Sequence, residues 1–571
     1  MNSDHLRIRT EFLLLVAFCG FLFFYGLGSF GLLGADEPRY AQIAREMLNR
    51  SDWITPTLDG KPWLEKPPLY YWQAMLSYGV ARSLPSTSSR ASVPNNDPNA
   101  DTRPSSGQNA SPSASDGVTD QTARLPGAID ATLMIAAIYL FLRRSRPGSE
   151  LDGALIAASC AGVIGFARAA ATDMPLAATF TIALLGWYSW YERRHHADLA
   201  VFYLFLALGT LAKGPVAPAL AALTVLLFVA TKRDWQLISQ TLWLPGIAVF
   251  IVVSLPWYVA VQMRNPEFFR FFILEHNLGR FSTNIYHHPQ PFWFYLPVFL
   301  LALMPWSLWL IASVVEPIRR FWREGRQACE SAEDSWTFFL LIWMFVPVLF
   351  FSASQSKLPG YILPAVPAAA LLVSDYFSAR RDAGVGLSKA LSIAHGILCG
   401  SLVFAALSAA SIAATHHLSV DNGTYIAVAI AALVAIVIAL VLVTRGGLRL
   451  VRSATMAAVI VSVAAVIRFA APVIDSTLSA RPVAQAIQSF SRESVPIGVY
   501  RMNRITEYGL EFYFNRPVQK YESGEIPAQA HVLVAASGAD ADFRALVGGR
   551  KVSYLAGVPA QKLNLYWVAK E

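Results

Sequence analysis

The chain has 571 residues, of which 55% are hydrophobic and only 15% are charged, and its formal net charge is +8. Soluble proteins carry about 25% charged residues, so this composition excludes an ordinary soluble globular protein and predicts a polytopic membrane protein. The positive charge does not indicate nucleic acid as a partner, because basic residues of membrane proteins collect in cytoplasmic loops. The four scattered cysteines show neither a metal-binding spacing nor a disulfide pattern.

The first apolar run, 12–33, is long enough to cross a membrane, since a span needs roughly 20 apolar residues. It lacks a small-residue cleavage site, so we expect a retained span and not a removed signal peptide. With the later runs of similar length we predict thirteen spans, at 12–33, 124–142, 152–170, 172–191, 199–213, 215–231, 241–262, 291–313, 336–353, 358–378, 388–413, 424–443 and 452–471.

A crowded loop, 34–84, follows the first span and combines charged residues with Tyr and Trp. Asp36 precedes Glu37-Pro38 and apolar residues at helical spacing, so we expect it to be the N-cap of an amphipathic helix. A carboxylate there is also suited to act as a general base, and capping and catalysis are compatible. Prolines stiffen Glu65-Lys66-Pro67-Pro68, so Lys66 either snorkels to the headgroups or meets a lipid phosphate as a point charge.

The segment 69–84 is either a short span or a helix lying in the membrane interface, and the distribution of charge decides between them. If it does not cross, Arg7, Arg9 and the later basic clusters share one side, which the positive-inside rule places in the cytoplasm. A crossing would put those later clusters opposite Arg7 and Arg9. We therefore predict an interfacial helix, a cytoplasmic N-terminus and an outer catalytic loop. The clusters are at 143–146, 193–194, 232–233, 319–323, 380–381 and 445–452.

Two other regions differ from the spans. Residues 85–121 are rich in Ser, Pro, Asn and Asp and predict a disordered insert on the outer side. From residue 472 the pattern becomes that of a soluble α/β domain, with helices at 481–491 and 540–547. We predict its strands at 497–500, 509–514, 531–536, 551–555 and 563–569. The predicted fold class is thus an all-α polytopic membrane domain, 1–471, with a small periplasmic α/β domain, 472–571.

Single charges recur in the loops on the outer side. A charge at span depth costs roughly 2.5–3.5 kcal/mol, so this repetition suggests a shared polar cavity, although ordinary loop charges near headgroups are the alternative. Asp173 begins a span and is either an N-cap or a partner for Arg168. His276 is suited to proton transfer or, with Arg280, to phosphate binding, and a structural role is the alternative. The carboxylates could hold a divalent cation, but no spacing requires one: Asp36, Glu37, Glu65 and Asp173.

Several short motifs occur in an order that resembles a known family. The chain is similar, over about residues 10–375, to the lipid A 4-amino-4-deoxy-L-arabinose transferases, within the protein O-mannosyltransferase-like superfamily of GT-C membrane glycosyltransferases. The order of the spans is similar too. Pro38 stands where the arabinose enzymes carry Thr, and the insert 85–121 is not typical of them. The motifs that carry the resemblance are 35–41, 51–53, 65–72, 172–174, 213–215, 272–276, 280–281 and 357–364.

The resemblance implies an inverting transfer of a sugar, such as an aminoarabinose-like pentose, from a polyprenyl phosphate to lipid A or another acceptor. The reaction would occur at the periplasmic face of the bacterial inner membrane. The implied catalytic carboxylates are Asp36, Glu65 and Asp173. The implied substrate- and phosphate-binding residues are Arg39, Lys66, Tyr70, Lys213, His276, Arg280, Lys357 and Tyr361. We expect no obligatory metal or cofactor, because fixed cations, Lys66 first, would stabilise the charge on the leaving phosphate.

Other classes of protein remain open at this stage. A protein O-mannosyltransferase would differ in acceptor and not in chemistry. A lipid flippase or transporter also uses charges and a cavity, but here the charges gather at one face and the two halves show no internal repeat. A binding protein that recognises its partner through the C-terminal domain would hardly need thirteen spans as an anchor.

Overall fold

The computed structural model describes residues 2–84, 117–279, 290–325, 331–415, 429–437, 448–490 and 495–571. Helices dominate it. The first eleven are α1 (Asn2–Cys19), α2 (Asp36–Asn49), α3 (Leu69–Ser83), α4 (Asp120–Ser145), α5 (Glu150–Ala158), α6 (Ala161–Ala167), α7 (Asp173–Arg193), α8 (His196–Lys213), α9 (Val216–Lys232), α10 (Gln236–Thr241) and α11 (Leu244–Arg264). They are followed by a π-helical segment (Arg270–Gly279), α12 (Tyr295–Ala302), α13 (Ser307–Glu324), α14 (Ala332–Ala353), α15 (Val366–Asp382), α16 (Lys389–Thr415), α17 (Leu448–Ala465) and α18 (Ala471–Leu478).

Within these ranges, seven helices are long and apolar enough to cross a membrane, or up to nine if each of two bent pairs is one span. Most of the predicted span 424–443 lies outside the described residues, so the count of thirteen stays a prediction. The predicted first span, 12–33, is wrong at its C-terminal end. Helical structure stops at Phe24, because the chain turns at Gly26 with a φ of +62° and Arg168 binds the carbonyls of Leu22, Tyr25 and Gly26.

Two of the predicted continuous spans are instead broken helices. Helices α5 and α6, predicted as 152–170, meet at 64°, and the segment predicted as 291–313 bends by 115° between α12 and α13. The two breaks lie against each other. The Ala161 amide donates to the Met304 carbonyl (2.9 Å), and the Trp306 indole donates to the Ser159 hydroxyl (2.9 Å). Each break thereby satisfies polar groups of the other, as backbone at membrane depth requires.

Helix α7 lies at the centre of the bundle, and every residue from Met174 to Trp190 is buried. Its aromatic side chains pack with those of α9 and α14. Trp187 stacks on Phe339 with ring centroids 5.7 Å apart, and Tyr188 lies 4.8 Å from Trp336. Such offset and tilted pairs add to the burial of apolar area. This core fixes the start of α7, and therefore Asp173, relative to the neighbouring helices.

The C-terminal part contains a five-stranded sheet and three helices, α19 (Arg481–Phe490), α20 (Arg504–Phe514) and α21 (Asp540–Leu546). After a two-stranded hairpin in the loop, β1 (Thr57–Leu58) and β2 (Lys61–Pro62), the strands are β3 (Ile497–Tyr500), β4 (Gln519–Lys520), β5 (His531–Ala536), β6 (Val552–Val558) and β7 (Leu563–Val568). Their order is β4-β3-β5-β7-β6, with β3 parallel to β4 and β5, and β7 antiparallel to its neighbours. The predicted strand 509–514 is wrong, because this segment belongs to α20.

The C-terminal part docks on the loop 34–84 through α20. Arg45 of α2 is completely buried and donates to the Phe512 carbonyl (2.6 Å), while Gln42 donates to Asn515 (3.1 Å). The Tyr513 hydroxyl donates to Asp120 (2.7 Å). Asp120 is the first residue of α4, so the predicted insert 85–121 extends too far. Its described residues, 117–121, form a turn and the capped start of this helix, and 85–116 lie outside the described residues.

Candidate functional site

Asp36 and Arg39 lie together at the start of α2. The expected N-cap role of Asp36 is wrong, because Ala35 occupies the N-cap position and Asp36 is the first helical residue without a capping hydrogen bond. The Asp36 carboxylate pairs with Arg39, one turn along the helix, and keeps 52% of its side-chain surface exposed. Asp36 is therefore accessible to another molecule.

Glu37, the next residue, is buried and fully engaged. Its carboxylate accepts from the amides of Leu33 (2.7 Å) and Ala170 (2.9 Å) and pairs with the buried Arg124 (2.6 Å). Arg124 also donates to the carbonyls of Phe30 and Gly31, both at 2.8 Å. This clamp joins the segment between the first helix and α2 to α2 itself, to α4 and to the turn before α7. It occupies all the acceptor sites that a metal ion would need on Glu37.

Arg39 is enclosed by aromatic rings. Its guanidinium lies 4.9 Å from the centroid of Trp63, 5.3 Å from Tyr40 and 5.4 Å from Tyr508 of α20. Three buried donors here have no hydrogen-bond partner among the described residues: Arg39 Nε, Trp63 Nε1 and the Tyr71 hydroxyl. Buried donors without partners are rare and call for an explanation, and an anion or a polyhydroxylated ligand would satisfy them.

Glu65 and Lys66 lie in the turn before α3, both half-buried. Burial raises the pKa of the Tyr71 hydroxyl, the Arg39 cation lowers it, and the Glu65 and Asp36 carboxylates raise it further. Glu65, Asp36 and Arg39 therefore all lie close enough to the Tyr71 hydroxyl to act on it electrostatically. Tyr70 is different, because its ring is fully buried and its hydroxyl donates to the Ala123 carbonyl (2.9 Å). Tyr70 packs the loop, and its predicted contact with a substrate stays a prediction.

A second cluster forms where three distant segments meet. Asp173 at the start of α7 pairs with Lys213 at the end of α8, and the Lys213 ammonium lies 4.7 Å from the ring centroid of Tyr361. Gly360 makes this approach possible, since a Cβ there would lie 2.5 Å from Asp173 Oδ1. The expected Asp173 pair with Arg168 is wrong, because Arg168 caps the first helix. Nor does Asp173 act as an N-cap, a position that Thr172 holds.

The two clusters are joined by packing. Leu69, three residues after Lys66, lies against Leu176 and Ala212, close to Asp173 and Lys213. Lys357 is buried and donates to the Ser354 carbonyl, which fixes the loop that carries Tyr361. Arg280 and the side chain of His276 lie outside the described residues. In the part of the chain that the structure describes, no group of three His, Cys, Asp or Glu residues could hold a metal ion, and the absence of an obligatory metal stays a prediction.

The sequence motifs contain many of the residues of this candidate site, but not all of them. The predicted site residues do not include Arg124, Trp63, Tyr71 or Tyr508. Arg124 is the first residue of a predicted span, where a buried cation is unusual and could have drawn attention to it. No local pattern marks Tyr508, since its contact with Arg39 depends on how the C-terminal part docks.

Comparison with known proteins places the chain among membrane glycosyltransferases. A family model described as dolichyl-phosphate-mannose-protein mannosyltransferase matches residues 115–259. An undecaprenyl phosphate-α-4-amino-4-deoxy-L-arabinose arabinosyl transferase of Pseudomonas aeruginosa is 31% identical over 411 residues, which are 71% of this chain but only 65% of that relative. The protein of the same name from Pseudomonas savastanoi pv. phaseolicola is 30% identical over 412 residues, 71% of this chain and 67% of the relative.

A solved structure extends the likeness to the whole fold. The crystal structure of ArnT from Cupriavidus metallidurans bound to undecaprenyl phosphate matches with a TM-score of 0.73 and 20% sequence identity, and the match covers 97% of each chain. At that identity the likeness concerns the fold alone. It confirms the predicted fold class in its coarser form, a mostly helical membrane fold of this type.

Proposed function

The chain belongs to the family of glycosyltransferases that contains the undecaprenyl phosphate-α-4-amino-4-deoxy-L-arabinose arabinosyl transferases, and from this premise we propose its reaction. It transfers an aminoarabinose-like pentose from undecaprenyl phosphate to lipid A, with inversion at the anomeric carbon. The observation that carries the proposal is the set of three buried donors without partners, in Arg39, Trp63 and Tyr71, beside the exposed Asp36. This arrangement suits a phosphate or sugar ligand next to a base.

The donor phosphate is bound by cations that are already in place. Arg39 is held by its aromatic rings, and Lys66 is held by the prolines that follow it. As the bond between the anomeric carbon and the phosphate oxygen breaks, the phosphate leaves with the electron pair. Fixed cations stabilise that developing charge without reorganisation, which is the largest contribution in many enzymes. The chemistry therefore has no step that needs a divalent ion.

Asp36 accepts the proton of the acceptor. A hydroxyl nucleophile needs a base as it attacks the anomeric carbon through an oxocarbenium-like transition state, whereas a phosphate nucleophile is already ionised. Glu65 lies near Arg39, and its carboxylate acts electrostatically on the Arg39 guanidinium. A second wall of the site, which Leu69 connects to the surroundings of Arg39, consists of Asp173, Lys213, Lys357 and Tyr361. His276 and Arg280 stay in the proposal as residues that line the cavity.

The topology that accompanies this reaction has thirteen spans in a bacterial inner membrane. The N-terminus is cytoplasmic, and the loop 34–84 and the domain 472–571 are periplasmic. The distribution of basic clusters supports this orientation. The membrane domain, 1–471, would then present the candidate site to lipid A, the acceptor, at the outer surface.

Lipid analysis of a deletion strain tests the proposal. The strain should lack the pentose on lipid A, and the wild-type chain should restore it. Asp36→Asn and Lys66→Ala should each lower transfer by roughly 10²-fold or more, because a base and a fixed cation contribute on that scale. Lys61→Ala is the matched control, since Lys61 is an exposed lysine of the same loop. Full transfer by either site variant would overturn the role of that residue.

A protein O-mannosyltransferase is the second candidate, favoured by the family model that matches residues 115–259. The same deletion strain distinguishes the two functions. Unchanged lipid A with loss of sugar from secreted proteins would replace the lipid acceptor by a polypeptide. Unchanged glycolipids and glycoproteins with mislocalised lipid would identify a flippase instead.

A further inference from the structure

A charged cavity lies at the other end of the helix bundle from the candidate site. It has a volume of about 450 Å³ and is lined by residues of α13, α14, α15 and the turn after α15. The cavity adjoins Asp334 and Thr337, near the start of α14, whereas Lys357 and Tyr361 follow the end of that helix. A helix of 22 residues is about 33 Å long, close to the hydrocarbon thickness of a bilayer. The cavity and the candidate site therefore belong to opposite membrane faces.

The charges of this cavity do not all find partners within the protein. Arg320 pairs with Asp334. This leaves two carboxylates, Glu316 and Asp375, and one guanidinium, Arg380. Among the described residues none of these three makes an ion pair. One Asp375 oxygen accepts from the Thr337 hydroxyl (2.6 Å), and Arg380 stacks on the Tyr376 ring at 5.1 Å.

The surroundings do not neutralise the two carboxylates. Arg146 also acts on Asp375, but its guanidinium is paired with Glu192 at 2.7 Å. Glu316 is exposed on α13. Asp375 is half-buried and accepts one hydroxyl, and a partly buried carboxylate without a paired cation is costly, so a cationic group from outside the protein would be stabilised beside it. The net charge of the three unpaired groups is negative, which disfavours an anionic lipid.

The remaining wall of the cavity is apolar. Phe338, Leu372 and Val385 line it beside the charged groups. A ligand that suits both parts has a cation for Glu316 and Asp375, an anion for Arg380, and a hydrocarbon stem for the apolar wall. These features suit a zwitterionic phospholipid better than a small soluble ion.

We propose that the cavity between α13, α14 and α15 binds a phospholipid with a primary ammonium and a phosphodiester, of the phosphatidylethanolamine class. The ammonium lies between Glu316 and Asp375, and the phosphate lies at Arg380. A primary ammonium has three donors and can reach both carboxylates, whereas a quaternary ammonium has none. This inference does not depend on the sugar-transfer reaction at the opposite face.

Lipid retention by the full-length protein tests the proposal. The protein is reconstituted with an equimolar mixture of phosphatidylethanolamine, phosphatidylcholine and phosphatidylglycerol, extracted in mild detergent, and analysed by native mass spectrometry. Wild-type protein should retain phosphatidylethanolamine at least tenfold over the other two. Glu316→Gln with Asp375→Asn should abolish this preference, and Arg380→Gln should weaken retention of the lipid.

Two matched variants lie just outside the cavity. Asp382→Asn removes a carboxylate from the end of α15, and Arg319→Gln removes an exposed guanidinium from α13; both should retain the lipid as wild type does. Since Glu316 is exposed, Glu316→Gln alone keeps the test valid if the double variant fails to fold. Retention in the proportions of the mixture, or an unchanged preference in Glu316→Gln, would overturn the proposal. Displacement of the lipid by soluble phosphoethanolamine would contradict the claim that the hydrocarbon stem contributes to binding.

Discussion

Asp36 and Glu37 are neighbours in the sequence, but the structure gives them opposite surroundings. The Asp36 side chain is half exposed and pairs with Arg39, whereas Glu37 accepts from two backbone amides and from the buried Arg124. A general base must be accessible to its substrate, whereas a buried structural carboxylate must have hydrogen-bond donors for its oxygens. We therefore expect variants of the two residues to fail in different ways.

Glu37→Gln should destabilise the protein. Breaking a buried ion pair by removal of one charge costs about 3–5 kcal/mol, because the Arg124 guanidinium is left buried and unpaired. We expect a lower thermal unfolding midpoint in detergent and less protein in the membrane. Asp36→Asn is the control and should unfold like wild type while losing transfer. Equal midpoints for Glu37→Gln and wild type would contradict the clamp.

At the scale of single residues, the sequence identifies charges and not their partners. Asp173, Lys213 and Tyr361 were all expected at one surface, and they are in contact. The sequence predicts Arg168, five positions earlier, as the partner of Asp173, because proximity along the chain is the only indication of ion pairing that a sequence offers. The observed partner, Lys213, becomes close only when α7 and α8 pack as antiparallel neighbours.

At the scale of secondary-structure elements, helix α20 of the C-terminal part contributes to the candidate site, which the sequence does not predict. It brings Tyr508 to the Arg39 guanidinium, so the C-terminal part contributes one of the aromatic rings around a proposed phosphate-binding residue. The Arg45 contact with the Phe512 carbonyl fixes α20 on α2 in the same interface. We therefore expect Tyr508 to act through Arg39 as a positioning residue.

Tyr508→Ala should raise the KM for the lipid-linked donor several-fold and change kcat little, because a cation–π contact contributes about 0.5–2 kcal/mol and this one orients Arg39 before the reaction. Tyr508→Phe retains the ring and should restore the wild-type KM. Tyr554→Ala, at an exposed tyrosine of β6, is the control. A fall in kcat with an unchanged KM would contradict a positioning role, and transfer kinetics in reconstituted vesicles measure both constants.

The wrong prediction of a strand at 509–514 is also a matter of a single secondary-structure element. Its aromatic residues favour a strand, but Gly509 and Leu510 are buried together with Thr506, three and four positions before them, which is helical spacing. Asn503 caps the helix by accepting from the Thr506 amide (2.9 Å). The capping residue, Asn503, lies six residues before the predicted strand. Local composition was therefore a poorer guide than the N-terminal capping signal.

For the molecule as a whole, Glu511 links docking of the C-terminal part to pH. This buried carboxyl of α20 has an oxygen without a hydrogen-bond partner among the described residues. Burial raises its pKa to about 8, and the Asp59 carboxylate across the interface adds to this, while Lys520 opposes it and Glu507 supports it. The folded state therefore binds more protons than the unfolded state between about pH 4.5 and pH 8.

Stability should consequently fall as pH rises through that window and level off above pH 8. Hydrogen exchange of α20 at pH 6 and pH 8.5, corrected for the intrinsic exchange rate, should show less protection at the higher pH. Glu511→Gln should remove this difference, and Glu525→Gln, in an exposed turn, should leave it unchanged. A pH-independent protection in the wild-type protein would contradict the raised pKa.

The sequence predicts the overall architecture better than its irregularities. Hydropathy identifies the helical membrane fold, and the loss of hydropathy after residue 471 marks the change to a strand-containing part. It does not reveal that 152–170 and 291–313 are broken, because each run remains apolar across its break. Those breaks depend on tertiary hydrogen bonds, which no single segment encodes.

The paired breaks also constrain how the protein is made. The Ala161 amide finds its partner in the Met304 carbonyl, which leaves the ribosome long after α5 and α6. Until then this amide lacks the partner that it has in the folded protein. We expect the early helices to wait at the insertion machinery, and chains that terminate before α12 to be removed by membrane proteases. Biogenesis of this bundle is therefore completed late, whatever the order in which its helices enter the bilayer.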